Sequence, residues 1–193
     1  TAVITCTGSY SNAGTVVNAS GSDYNGLSIV LSLNVSGGAN IIKKISGSLI
    51  LANLTINGIA DKRDYYGIAG NPTITNLFTV LGNSVTNRVM IQSNVVGTPA
   101  VITAQSVSAE YADFMDITGA GAASWDMSAG SVGDCGGNTM KALGGAAFTA
   151  PATQTWNGAS GGNWSTNAWT SRVPLPQDDV ILGIAFSASQ TVT

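Results

Sequence analysis

The chain has 193 residues, of which 7 are Lys or Arg, 10 are Asp or Glu, 24 are Gly and none is His; only 9% are charged, against roughly 25% in an ordinary soluble domain. A net charge of −3 offers no basic stripe to neutralise a row of phosphates, so nucleic acid is not an expected partner. Without His there is no imidazole-activated nucleophile, imidazole metal ligand or imidazole base, and any catalysis would rest on carboxylates.

The length suits one domain, or one domain and the start of another, with enough chain to bury a core. Val, Ile and Leu arrive in short regular runs, which argues for a folded chain and against disorder. No run reaches ~18 residues, so no membrane span is expected. Residues 1–7 have neither the basic start nor the apolar stretch of a signal peptide. Cys6 and Cys135 form no CxxC pair, which excludes zinc-ribbon and thioredoxin motifs; two free thiols and a long-loop disulfide both fit. No metal or cofactor site is predicted.

In chain order, residues 27–33 (Leu-Ser-Ile-Val-Leu-Ser-Leu) alternate apolar and polar, and 48–56, 73–81, 88–92, 100–104 and 107–117 follow in the same β-branched style, each predicting a strand. Asn25-Gly26, Gly37-Gly38, Asn57-Gly58, Gly82-Asn83 and Gly97-Thr98-Pro99 punctuate them as turns. No window of 12 or more residues shows a capped 3.6-residue period, so helices are not expected. Lys43-Lys44 and the run Asp61-Lys62-Arg63-Asp64 suggest solvated turns or edge protection.

Two all-β architectures accommodate many short strands with Gly and Asn turns: an antiparallel sandwich or barrel, and a parallel β-solenoid. A sandwich generally clothes its outer faces in Lys, Glu and Arg, whereas a solenoid can present Ser, Thr and Asn outside and fill its bore with aliphatics. The composition favours the solenoid, with coils of roughly 20 to 25 residues. After Ile117 the sequence turns rich in small residues. Ala150-Pro151 then punctuates it, giving a solenoid domain at 1–150 and a Trp-rich linker at 151–193 that opens the first strand of a following module. Residues 187–193 read as an unfinished strand, so the chain is expected to continue into another coil.

The stretch 87–94, Gly97-Thr98, and 107–117 with its Tyr111-x-x-Phe114-x-Asp116 block, followed by the Gly-Asn stretch 133–138, resembles the final coils of right-handed parallel β-helix modules. Such modules occur in phage virion fibre or appendage proteins and in large bacterial surface adhesins. The continuation through Trp156-Asn157-Gly158, Asn163-Trp164-Ser165, Trp169 and Pro174-Leu175-Pro176-Gln177-Asp178 resembles the linker that opens the next module, in a form closer to the phage versions. The resemblance implies a non-enzymatic structural protein at a virion or bacterial cell surface, partnered by other virion or fibre subunits or by copies of itself. An adhesin binding cell-surface glycan and a carbohydrate depolymerase are the alternative readings.

Three carboxylates, Glu110, Asp113 and Asp116, are the most site-like cluster. On one straight strand Glu110 and Asp116 share a face and Asp113 points the other way, so they would need partners from neighbouring coils to reach the ~5 to 9.5 Å separation a glycosidase uses. Turn capping, surface solvation and a calcium site are their other readings. Trp156, Trp164 and Trp169 suit either a sugar-stacking platform or the pinning of a loop-rich linker. Asn18, Asn34, Asn53 and Asn163 head glycosylation sequons that serve equally as Asn ladders on stacked turns.

Overall fold

The computed structural model describes residues 3–10, 15–18, 23–35, 42–47, 49–60, 63–157, 163–165 and 168–182, with side chains from Lys43 onward. The chain divides into two compact units, Thr1–Thr149 and Ala150–Thr193.

In the first unit, strands β1 (Val3–Tyr10), β3 (Asp23–Val35), β5 (Ile50–Asn57), β7 (Thr73–Leu81), β9 (Ala100–Glu110), β11 (Ile117–Gly121) and β13 (Thr139–Met140) form one sheet in that order. Strands β2 (Thr15–Asn18), β4 (Ile42–Ser46), β6 (Asp64–Ala69), β8 (Val89–Ser93), β10 (Ala112–Met115) and β12 (Gly133–Asp134) form the other. Every pairing is parallel: Val3 stands beside Ser28, Lys44 beside Gly67, Val89 beside Asp64, and Ile117 beside Ala100. Each strand therefore pairs with the second strand after it, and the strand between belongs to the other sheet. Apart from one helical turn at Ser128–Gly130, the described residues are strands, turns and loops. None of their helices is long and apolar enough to cross a membrane.

Alternation places the apolar side chains of both sheets in one buried cluster. β8 turns Val89 and Ile91 inward, β6 turns Tyr66 and Ile68, and β5 turns Leu51, Leu54 and Ile56. The odd step from Leu51 to Leu54 would put them on opposite faces of a regular strand. The register between β5 and β7 shifts at that point, Leu51 standing beside Ile74 and Asn53 beside Leu77, and such an irregularity is where the alternation changes phase. Trp125 is fully buried, with its ring 6.1 Å from that of Phe78. The space it fills exists because residue 119 is Gly: a Cβ there would stand 2.5 Å from the indole. Residues 141–149 hydrogen-bond to the stretch 125–132, Trp125 N–H donating to Lys141 O and Met127 N–H to Ala147 O, while Met140 and Phe148 pack on the cluster.

The run 107–117 is not one straight strand. Residues 100–110 are a single strand, β9, and the chain then bends at Tyr111 (φ 48°) and at Asp116 (φ 53°), which isolates the short β10 between two corners. Under the first corner sits Gly82, where a Cβ would meet Tyr111 O at 2.1 Å. Residues 117–121, which the loss of aliphatics marked as a change of character, are strand β11. Lys43 is also not a solvated turn residue. It lies on β4, 2% exposed, paired with Asp64.

In the second unit, β14 (Thr153–Thr155) pairs in parallel with β15 (Asp179–Ile181), and Trp156 bridges antiparallel to Trp169. A polar clamp holds the connection between them. The Asp178 carboxylate accepts hydrogen bonds from Ala152 N, Leu175 N and the Arg172 guanidinium. Gln154 Oε1 accepts from Ser171 N, Ser171 Oγ and Arg172 N.

Candidate functional site

The two corners separate the three carboxylates. Glu110 ends β9 and is exposed. Asp113 lies on β10, 5% exposed, and receives the Arg88 guanidinium in a forked contact: Nε donates to Oδ1 at 3.0 Å and Oδ2 at 2.9 Å, and Nη2 to Oδ1 at 2.7 Å. The same Nη2 donates to Ala112 O and Ser131 O. Asp116 is buried at the second corner and its Oδ2 accepts the Gly97 N–H at 2.7 Å. Its Oδ1 occupies the place a Cβ on Gly137 would take. Asp113 and Asp116 are thus engaged by a guanidinium and by backbone, leaving Glu110 as the member that faces solvent.

Next to Asp116 the Gly-Asn stretch forms a side-chain ladder. Asn138 Oδ1 accepts from Ile117 N, and its Nδ2 donates to Phe114 O and Asp134 Oδ1. This replaces strand pairing at the corner with amide contacts of fixed geometry. Asn53 does similar work between β5 and β7, with Oδ1 accepting from Asn76 Nδ2 and Leu77 N.

Glu110 instead meets a residue that sequence inspection did not single out. It lines a groove of about 320 Å³ with Asp126, Leu81, Val107, Met127 and Gly130. Asp126 is exposed, and its carboxyl is held below the ordinary value by the Ser128 hydroxyl at 2.6 Å, helped by the Ser128 N–H. The groove therefore presents two carboxylates above an apolar floor. Its wall is close-fitted, because a Cβ on Gly130 would meet Ala109 O at 1.9 Å. Asp126 became visible only once the loop after β11 was seen to return to the end of β9. A second hollow, of about 260 Å³, lies by Asn71, Ser93, Asn94, Thr98 and Pro99, beside Val95 and Val96, which are 57% and 74% exposed.

Of the three tryptophans in the second unit, Trp156 and Trp169 are 1% and 5% exposed, and Trp164 is half-buried. Trp169 stands edge-on to both, with centroids at 4.9 Å and 4.6 Å, and its Nε1–H donates to Trp164 O. A ring packed by its neighbours has no free face for a sugar, so Trp164 alone offers stacking surface. Cys135 carries a free thiol, pushed up to about 12 by burial and then by the nearby charges of Asp113 and Asp134. The described residues contain no group of three or more Cys, Asp or Glu arranged to hold a metal ion. No protein-family model matches the chain, and no curated protein or solved structure matches it either.

Proposed function

We propose that the first unit is a parallel β-solenoid of the right-handed β-helix kind, and that the chain is a non-enzymatic structural module of an extracellular fibre or virion surface, such as a phage fibre or decoration protein. One observation carries this reading: each strand pairs in parallel with the second strand after it, and both sheets fill one aliphatic cluster. Stacked coils of that kind bury each layer on the next and give a rod whose length grows with coil number. Seven strands at ~4.8 Å spacing span about 30 Å, a useful length of spacer. The Arg88–Asp113 contact and the Asn138 ladder support the same reading, since both join successive strands and leave no charge free for chemistry. The second unit, with its own parallel pair of strands, opens a further β element. Its partners are other fibre or virion subunits or copies of itself.

Immunogold labelling of particles and cells from the source culture tests the assignment. Label on the outside of DNA-filled particles supports a virion role, and label on the cell envelope supports the bacterial adhesin alternative. Label confined to the cell interior overturns both.

The groove shared by Glu110 and Asp126 favours a second reading, a carbohydrate depolymerase with two carboxylates as acid and base. That reading requires release of reducing ends or unsaturated sugars from host polysaccharide, abolished by Glu110→Gln. The structural reading expects no release from the unaltered chain.

A further inference from the structure

Two buried ion pairs join neighbouring strands of the six-stranded sheet, and their chemistry differs. In the Arg88–Asp113 pair both carboxylate oxygens accept from the guanidinium, a group that is no nucleophile. The Lys43–Asp64 pair is different. Lys43 Nζ donates to Asp64 Oδ1 at 2.6 Å, with the two side chains 2% and 3% exposed, while Asp64 Oδ2 is buried with no hydrogen-bond partner. A carboxylate in that position lacks the donors that would stabilise its charge. The Tyr66 ring, its centroid 4.6 Å from Nζ, walls the amine on one side. Ile45 and Ile68, both 1% exposed, belong to the same strands.

We propose that Lys43 and Asp64 are a covalent cross-linking site, at which the lysine amine and the aspartate carboxyl condense to an isopeptide bond tying β4 to β6. Three features of the pair support it. The amine is primary and its nitrogen is already at hydrogen-bond distance from the carboxyl. Both groups are removed from water, which elsewhere keeps an ammonium and a carboxylate ionised and reverses condensation. Both are held on paired strands, Lys43 standing beside Tyr66, two residues after Asp64, and such fixed geometry is worth roughly 10⁵–10⁸ M of effective concentration.

The step balances without any co-reactant. A proton passes from the ammonium to the carboxylate across the 2.6 Å hydrogen bond, giving a neutral amine and a neutral acid. The nitrogen lone pair attacks Cγ, forming the Nζ–Cγ bond. One carboxyl oxygen then leaves as water, taking the acid proton and a proton from nitrogen. Nothing is oxidised or reduced. The product replaces a charged pair containing an unsatisfied oxygen by a neutral amide, and it joins two successive strands of one sheet covalently. The inference stands on this pair alone and is independent of the fibre reading.

Peptide mapping of the purified full chain tests it. In the cross-linked protein trypsin cannot cut after Lys43, and the peptide ending at Lys44 is joined to the peptide running from Asp64 to Arg88, the pair together lighter by one water. A reproducible fraction of this branched peptide, identified by fragment ions and absent from the Lys43→Arg and Asp64→Ala chains, is the expected result. Linear peptides alone overturn the proposal. So does a missing water confined to the linear 64–88 peptide, which would mark a succinimide at Asp64. The decisive measurement is made on the unaltered chain, so poor folding of either variant does not rescue the idea.

Discussion

The first unit and the second solve the problem of holding short parallel strands together in opposite ways. In the first, described strands from β4 onward share a cluster of Leu, Ile, Val and Phe side chains, with polar contacts at the corners and in two buried ion pairs between neighbouring strands. In the second, two strands of three residues each are joined by a connection whose anchors are an Arg172–Asp178 clamp, the Gln154 amide and stacked tryptophans. The difference lies in what holds the described strands. An aliphatic layer stabilises in proportion to the area it covers, at roughly 25 cal/mol per Å², and among the described residues repeated layers occur in the first unit. The described pair of strands in the second unit is joined by hydrogen bonds of fixed direction and by large aromatic rings.

The largest expected effect lies where a charge sits in the aliphatic region. Arg88→Ala leaves Asp113 buried and unpaired, and should lower the unfolding free energy by about 3–5 kcal/mol. Removing both charges with Arg88→Met and Asp113→Leu should recover most of that loss. Chemical denaturation followed by far-ultraviolet circular dichroism measures both. If the double variant is no more stable than Arg88→Ala, the pair contributes more than the relief of a buried charge, and the first unit depends on polar contacts as the second does.

The clamp gives the matching test in the second unit. Asp178→Ala removes the acceptor for Ala152 N, Leu175 N and Arg172, and a loss of about 2–3 kcal/mol is expected from the charged contacts. The effect should be local. Trp156 and Trp169 should become water-exposed, with a red-shifted fluorescence, while the denaturation midpoint of the β-sheet signal stays within error. A shift of both signals together would show that the two units unfold as one.

A smaller effect probes packing. Gly119→Ala places a Cβ 2.5 Å from the Trp125 ring, which is held by a hydrogen bond from Nε1 to Ala120 O and cannot swing aside. Overpacking of this kind costs about 1–3 kcal/mol. An unchanged midpoint would mean the indole has room that the close contact denies.

These residues also show how much of the fold and site could be read in advance. Strands 73–81 and 88–92 were legible because period-two alternation is a local signal, and β7 and β8 fall there. The corners inside 107–117 were not, because positive φ at Tyr111 and Asp116 contradicts the ordinary preference of residues with a side chain. The ion pairs were invisible for another reason: Lys43 and Asp64 are 21 residues apart and Arg88 and Asp113 are 25 apart, so each pair forms only when parallel register brings neighbouring strands together. Lys43-Lys44 then looked like any solvated charge run. Asp126 was hidden in the same way, since its groove partner Glu110 sits on a strand that the loop reaches only after β11. The burial of Trp156 and Trp169 depends on an antiparallel bridge between segments whose pairing no local pattern announces.

The smallest effect concerns a single thiol at the end of the first unit's six-stranded sheet. Burial, reinforced by the negative charges of Asp113 and Asp134, pushes the Cys135 thiol from 9.0 to about 12. A raised folded value means the folded state keeps its proton while the unfolded thiol ionises, so stability from this group is complete below about pH 9 and falls as the pH rises toward 12. Because only the thiolate reacts, iodoacetamide should label Cys135 far more slowly in the folded chain than in denaturant at pH 8.5, as read by mass spectrometry of the Cys135 peptide. Arg88→Ala makes the comparison sharper. It removes the larger of the two cationic influences, Arg88 and then Arg63, that oppose the shift, and Arg88 is itself paired to Asp113, so if the region stays folded, labelling should slow further. Faster labelling in that variant would instead show that the end of the sheet has opened, and would locate the cost of losing Arg88 in local packing around β10 and β12.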